Sequence, residues 1–174
     1  MELSGKKIAV LVDQLYQEME VWYPLFRLQE AGAKVVTVGP VAGHTYPSKL
    51  GYPVKCDLSW EVAQSSDFDG VVIPGGYAPD HIRRHPKALE FVREIDQQGK
   101  LVASICHGPW VLSDAGLTRG KRATGWWSIK PDLENADATF IDEPAITDGK
   151  IVTARAPIDL AAFVYAIDDL LVAA

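Results

Sequence analysis

"LVASICHGPWVLSDAG", residues 101–116, decides how this chain folds. A run of apolar and small residues ends at Cys106, and helical spacing takes over after it. Continuous apolar runs of this length are strands buried on both faces, as in a parallel sheet covered by helices. Gly108 and Pro109 stand at the change. Glycine permits a close backbone approach, and proline suits a first helical turn. A sharp strand-to-helix turn presents one side chain above the sheet, as a nucleophile elbow does. Here that side chain is Cys106. A helix start offers unpaired N–H groups and partial positive charge, which predict a lowered thiol pKa. The plainer reading of a cysteine is a small buried hydrophobe. His107 beside it and the Gly-Pro pair after it favour the reactive reading.

The same alternation extends along the chain in both directions. "KIAVLV" (7–12), "KVVTVG" (34–39) and "DGVVIPGG" (69–76) read as strands like "LVASIC" (101–106). "EVWYPLFRLQEAG" (20–32), "PKALEFVREIDQQGK" (86–100) and "PIDLAAFVYAIDDLLVAA" (157–174) read as helices, and "HGPWVLSDAG" (107–116) starts another. Pro24 is placed near the start of the first helix, where its missing N–H costs little. "GHTYPSKLGYPVKC" (43–56) reads as a hairpin, and "ATFIDEPAITDGKIVTA" (138–154) as short strands around an Asp-Gly turn. This predicts one α/β domain over residues 1–174, a mostly parallel sheet with helices on both faces. Chemistry in such sheets lies at the carboxyl ends of the strands. There "IPGGYAPD" (73–80) meets "SICHGP" (104–109). Gly75 and Gly76 can leave N–H groups free for an oxyanion, with that of His107 beside them.

Composition excludes several classes. The 174 residues are 48% hydrophobic, enough for one full core. The net charge is −6 and the pI about 5.2, with Lys and Arg scattered, which argues against a dedicated nucleic-acid binder. No apolar run approaches the ~20 residues that span a bilayer. The N-terminal run is too short for a signal peptide, and two cysteines do not make a disulfide scaffold. Together these predict a reducing cytoplasm. His81 and His85 have a zinc-like spacing, but Pro86 biases His85 away from helical geometry and no third ligand is apparent. No G-x-G-x-x-G opens a helix. Neither a metal nor a cofactor is expected. His44 reads as solvated and Cys56 as structural.

"VIPGGYAPD" (72–80), "ASICHGPWVLSDAG" (103–116) and "MEVWYPLFRLQEAG" (19–32) together resemble the ThiJ/PfpI superfamily. "IKPDLENADA" (129–138) and "ARAPIDLAAF" (154–163) extend the likeness, which is greatest to the bacterial PfpI branch of intracellular proteases and deglycases. The resemblance implies a flavodoxin-like three-layer sandwich, similar to class I glutamine amidotransferases, with Cys106 at the elbow. It implies a partner carboxylate at Glu20, whose protonated form can donate a hydrogen bond to a thiolate. Gln17 and Glu18 rank below it. In protease-like members the histidine matching His107 is the base, oriented by an acidic residue of a neighbouring subunit. The matching position is Asp80, one methylene shorter than the glutamate of some members. Without that interface Asp80 reads as a helix N-cap. Where several members carry tyrosine, this chain has Trp126, which can only donate its N–H. Trp126 is therefore read, with Tyr77, as pocket wall.

The chemistry implied is thiolate attack on a carbonyl carbon, with Gly76 and His107 N–H groups holding the oxyanion. The first reading is a stress-response enzyme acting on reactive carbonyls, either glyoxalase-like or a deglycase. The second is an intracellular cysteine peptidase. The third is a redox-sensing holdase without turnover. The partners implied are a small carbonyl compound or a glycated protein or peptide. Apolar residues around Trp22, Tyr23 and Trp126 predict a homodimer or a hexamer.

Overall fold

The apolar runs do become strands covered on both faces. The computed structural model describes residues 2–173. The chain begins with β1 (Lys7–Leu11), α1 (Glu18–Glu30) and β2 (Lys34–Gly39). Three short strands follow: β3 (Thr45–Pro47), β4 (Pro53–Lys55) and β5 (Leu58–Ser59). Next come β6 (Gly70–Ile73), α2 (Ala78–Ile82), α3 (Pro86–Gln97), β7 (Leu101–Ile105) and α4 (Pro109–Asp114). The last third holds β8 (Arg122–Ala123), α5 (Lys130–Asn135), β9 (Thr139–Phe140), β10 (Ala145–Asp148), β11 (Ile151–Ala154) and α6 (Leu160–Val172).

Seven strands make one sheet in the order β10-β11-β7-β6-β1-β2-β5. Every pairing in it is parallel except β10 with β11. Every residue of β6, β7 and β11 is buried. That explains why these strands read as continuous apolar runs rather than alternating ones. α1 and α6 pack on each other, α1 against β2 and α6 against β7 and β11, while α3 and α4 cover β6 and β7. This is the expected flavodoxin-like sandwich with helices on both sides.

The connection after β1 runs to β2, whereas β6 lies on the other side of β1 and leads on to β7. Strand order reverses there, so the loops after β1, β6 and β7 converge at one end of the sheet. Backbone bonds tie them together. Gln17 N–H donates to the Gly75 carbonyl at 3.3 Å and Tyr77 N–H to the Leu15 carbonyl at 2.9 Å. Tyr16 makes β-bridges to both Ser48 and Gly76, which brings in the β3–β4 hairpin.

Two boundaries differ from expectation. α1 starts at Glu18, and Pro24 is its seventh residue rather than near its start. The earlier start has a local cause: the Gln17 side chain accepts the Glu20 N–H at 3.0 Å. That is N-capping by a residue outside the usual Ser, Thr, Asp and Asn set. Pro24 cannot donate to the carbonyl of Glu20, four residues back, so α1 loses a bond beside the residue that matters most below. α4 begins at Pro109, after a separate turn, and not at His107.

Phe163 on α6 is fully buried in the main core. Phe163→Ala is expected to lower the unfolding free energy by about 3–5 kcal/mol. Urea denaturation checks it as a lower midpoint with an unchanged slope.

Candidate active site

The elbow after β7 is built as a strained turn. Cys106 has φ +63°, a left-handed conformation that costs a non-glycine residue roughly 1–3 kcal/mol. Its backbone is held on both sides. Cys106 N–H donates to the Ala154 carbonyl at 3.0 Å, and the Cys106 carbonyl accepts Trp126 N–H at 2.8 Å. Gly108 closes the turn. A Cβ there would lie 2.6 Å from Ser104 Oγ and 2.7 Å from the Ile73 carbonyl oxygen, so no larger residue fits. The resulting side chain is only 6% exposed and lines a pocket of about 210 Å³.

Glu20 reaches the same pocket from the first turn of α1 and has no exposed surface. Its Oε2 accepts the Gly75 N–H at 2.7 Å. A Cβ on residue 75 would sit 2.6 Å from Glu20 Oε2, 2.6 Å from Cys106 Cβ and 3.0 Å from Cys106 Sγ. Gly75 is therefore the spacer that lets acid and thiol meet. Its N–H is engaged by Glu20, which corrects the expectation that it serves an oxyanion. The N–H groups of Gly76 and His107 are the ones that favour charge on the sulfur.

Burial pushes the Glu20 carboxyl up to about 7 from its ordinary 4.5. Oε1 has no hydrogen-bond partner among the described residues, so little offsets the lost hydration. Burial and the adjacent Glu20 charge push the Cys106 thiol up to about 12 from 9.0. The lowered pKa expected from a helix start is thus overturned. α4 is only six residues long and starts three residues beyond the sulfur. The two N–H groups on sulfur do not outweigh desolvation and like charge. Because the two side chains adjoin and each shifts the other, they titrate as a pair. One proton leaves near pH 7 and the second far above it. In between, the pair holds one proton and one negative charge.

His107 Nδ1 lies 3.3 Å from Cys106 Sγ. Adjacent residues on a helix point apart. Here the left-handed Cys106 breaks the helical phase and turns the two side chains together. Burial, and then the Lys49 charge, hold the His107 pKa below its ordinary 6.5, so the ring is neutral at neutral pH. It stacks on Trp126, with centroids 6.1 Å apart at 25°, and meets the Trp110 ring edge-on at 5.0 Å. Trp126 and Tyr77 line the pocket as expected. Gln17 lines it too, while Glu18 does not; its carboxylate accepts the Leu50 N–H at 2.6 Å.

Asp80 is exposed on α2 and does not line the pocket of its own chain. Nor does it cap α2, whose N-cap is Tyr77. Sequence reasoning missed Lys49 and Pro157, both of which line the pocket. Lys49 arrives through the Tyr16–Ser48 bridge, a long-range pairing with no local signal. A larger groove of about 780 Å³ lies along α1 and the hairpin, lined by apolar side chains such as Met19, Phe26 and Tyr52. It holds none of the reactive groups.

The remaining candidates are placed elsewhere. His85 is extended at φ −99°, and its Nε2 lies 4.0 Å from Asp13. His81 contacts Arg84 and Gln14. Among the described residues no group of three or more His, Cys, Asp or Glu could hold a metal ion. No helix of the described residues is long and apolar enough to cross a membrane. Cys56 is buried and donates to the Leu58 carbonyl at 3.2 Å. His44 is exposed against Tyr46.

The buried acid sets a pH dependence. Unfolded, Glu20 ionises near 4.5; folded, near 7. Between these values the unfolded chain has already released a proton that the fold retains, so stability falls as pH rises through the window. Above it the loss is roughly 3 kcal/mol. Glu20→Gln is expected to match the native protein near pH 4 and to exceed its stability by about that amount at pH 8. Urea denaturation at the two pH values reads it directly.

Known proteins resemble this chain along most of its length. Residues 6–169 match the DJ-1/PfpI family. "Putative cysteine protease YraA" of Bacillus subtilis is 42% identical over 159 residues, covering 91% of this chain and 94% of that one. "Deglycase PH1704" of Pyrococcus horikoshii is 39% identical over 157 residues, covering 90% and 94%. The crystal structure of a two-domain protein from Anabaena variabilis, with DJ-1/ThiJ/PfpI-like and ferritin-like domains, superposes with a TM-score of 0.92 at 45% identity. It is covered over 47% of its length by 93% of this chain, so the likeness concerns about half of that protein. With nearly all of its length matched and two relatives close to 40% identical, the chain belongs to the DJ-1/PfpI family.

Proposed function

We propose that the chain is a cysteine-dependent enzyme acting on reactive carbonyls, with glyoxalase-like or deglycase turnover. The observation that carries this reading is the buried Glu20 carboxyl set against the Cys106 thiol across Gly75, a pair that holds one proton at neutral pH, with the Gly76 and His107 N–H groups favouring charge on the sulfur. With that proton on Glu20, its carboxyl is neutral, no longer repels the thiolate and can donate to it. The sulfur then attacks an aldehyde carbon. A C–S bond forms and the carbonyl electron pair moves to oxygen. The Gly76 and His107 N–H groups follow the charge from sulfur to that oxygen.

For a 2-oxoaldehyde the rest balances without any oxidant. Neutral His107, 3.3 Å from the sulfur, moves the aldehydic proton from C1 to C2. The adduct becomes a 2-hydroxyacyl thioester. Water cleaves it to the 2-hydroxy acid and restores the thiol. A pocket of about 210 Å³ suits substrates of this size. Relatives named as deglycases support the class.

A Cys–His contact also suits a peptidase, and the Bacillus relative's name points the same way. That reading needs a second copy, because Asp80 cannot orient His107 within one chain. Exposed Met19, Tyr23, Phe26, Leu50 and Tyr52 give a face that we assign to a homo-oligomer.

Two measurements test the proposal. Methylglyoxal is expected to yield lactate, with Cys106→Ser lowering kcat/KM by about a thousandfold or more. Alkylation of Cys106 is expected to rise with pH and level off with a midpoint near 7, the first proton loss of the pair. A midpoint near 12 would mean that Glu20 keeps the charge and the sulfur stays inert, which sinks the mechanism.

A further inference from the structure

Cys106 and His107 come from the turn after β7 and Glu20 from the first turn of α1, but Lys49 enters the pocket from the β3–β4 hairpin. Its backbone is fixed. Ser48 bridges to Tyr16, and Lys49 N–H donates to the Tyr16 carbonyl at 2.9 Å. The buried Ser48 hydroxyl accepts the N–H groups of Leu50 and Tyr52 at 3.3 and 2.8 Å, which stiffens the turn. From this anchor the Lys49 side chain lines the pocket, with Nζ 5.7 Å from the centre of the Tyr77 ring. It makes no ion pair within 4 Å among the described residues.

The charges around it are accounted for. Glu18 accepts from the Leu50 N–H at 2.6 Å. Glu20 has no exposed surface. His107 is held neutral by burial. Among the described residues Lys49 is the one Lys or Arg lining this pocket; it acts on Glu18 and Glu20 through space without forming an ion pair with either.

We propose that Lys49 determines specificity, and that the pocket selects carbonyl compounds carrying a carboxylate over neutral ones. The inference rests on the reading of Cys106 as a nucleophile toward carbonyls and names the substrate class of that site. The ammonium pairs with the carboxylate while the carbonyl carbon meets the sulfur. A neutral aldehyde meets only the aromatic walls. A cation at an exposed rim gives a preference of roughly two- to fivefold.

The test compares iodoacetate with iodoacetamide on Cys106 of the intact protein, read by mass spectrometry and normalised to glutathione. Both form the same C–S bond and release iodide; they differ in the charge of the group that enters. The iodoacetate-to-iodoacetamide rate ratio is expected to exceed that of glutathione several-fold. Lys49→Gln should remove the excess and Lys49→Arg should restore it, with circular dichroism showing both variants folded. A wild-type ratio equal to that of glutathione, or a folded Lys49→Gln with an unchanged ratio, overturns the proposal alone. Labelling of Cys106 no faster than of buried Cys56 overturns it together with the nucleophile. A retained preference without aldehyde turnover supports the recognition and overturns only the reaction.

Discussion

A carboxyl group with no exposed surface and a thiol share one narrow space, and Gly75 is what leaves room for both. The contact holds the chemistry and imposes the constraint. Two acids this close in a buried site cannot both ionise near neutral pH. The pair therefore keeps one proton, and the question of reactivity becomes which atom holds it. The Gly76 and His107 N–H groups favour charge on the sulfur, while the Gly75 N–H bonds to the carboxyl. Backbone N–H groups thus pull the shared charge toward sulfur, while burial and the Glu20 charge push it away.

Such an arrangement opposes stability locally. The left-handed Cys106, the unpartnered Glu20 oxygen and a proline without an N–H four residues after Glu20 all gather at one end of the sheet. They persist because the surrounding structure is over-determined. The strands leading to the site are buried along their whole length, and cross-loop bonds from Leu15, Tyr16 and Gln17 fix the glycine loop after β6. Strain tolerated at a site because the scaffold holds it is a common form of preorganisation.

Legibility in the sequence follows the range of the interaction. The elbow was readable because its signal is local: an apolar strand, one cysteine, then Gly-Pro. The sheet was readable from the burial of its strands. Glu20 was not readable from its own surroundings, since an acid in a first helical turn ordinarily complements the dipole. Only resemblance singled it out. The direction of the Cys106 pKa is hidden from the sequence, because a helix start is a local feature and desolvation is not. Burial depends on how many loops close over a side chain, and no short stretch encodes that. Lys49 was missed for a related reason. Its role comes from a bridge between residues 16 and 48, and "PSKLGY" (47–52) by itself is an ordinary hairpin turn.

The position of His107 shows how one backbone angle widens what the site can do. Had Cys106 been helical, the imidazole one residue on would point away from the sulfur. With φ at +63° it comes to 3.3 Å and lies flat on Trp126. A neutral ring at that distance can relay a proton between neighbouring carbons of a small substrate. In either that relay or the protonation of a leaving amine the ring holds an extra proton in transit, which burial and Lys49 both oppose. The carbonyl chemistry proposed above asks nothing of a second chain, whereas the peptidase reading through Asp80 does. The names of two relatives, "Deglycase PH1704" and "Putative cysteine protease YraA", show that both readings are attached to chains close to 40% identical to this one.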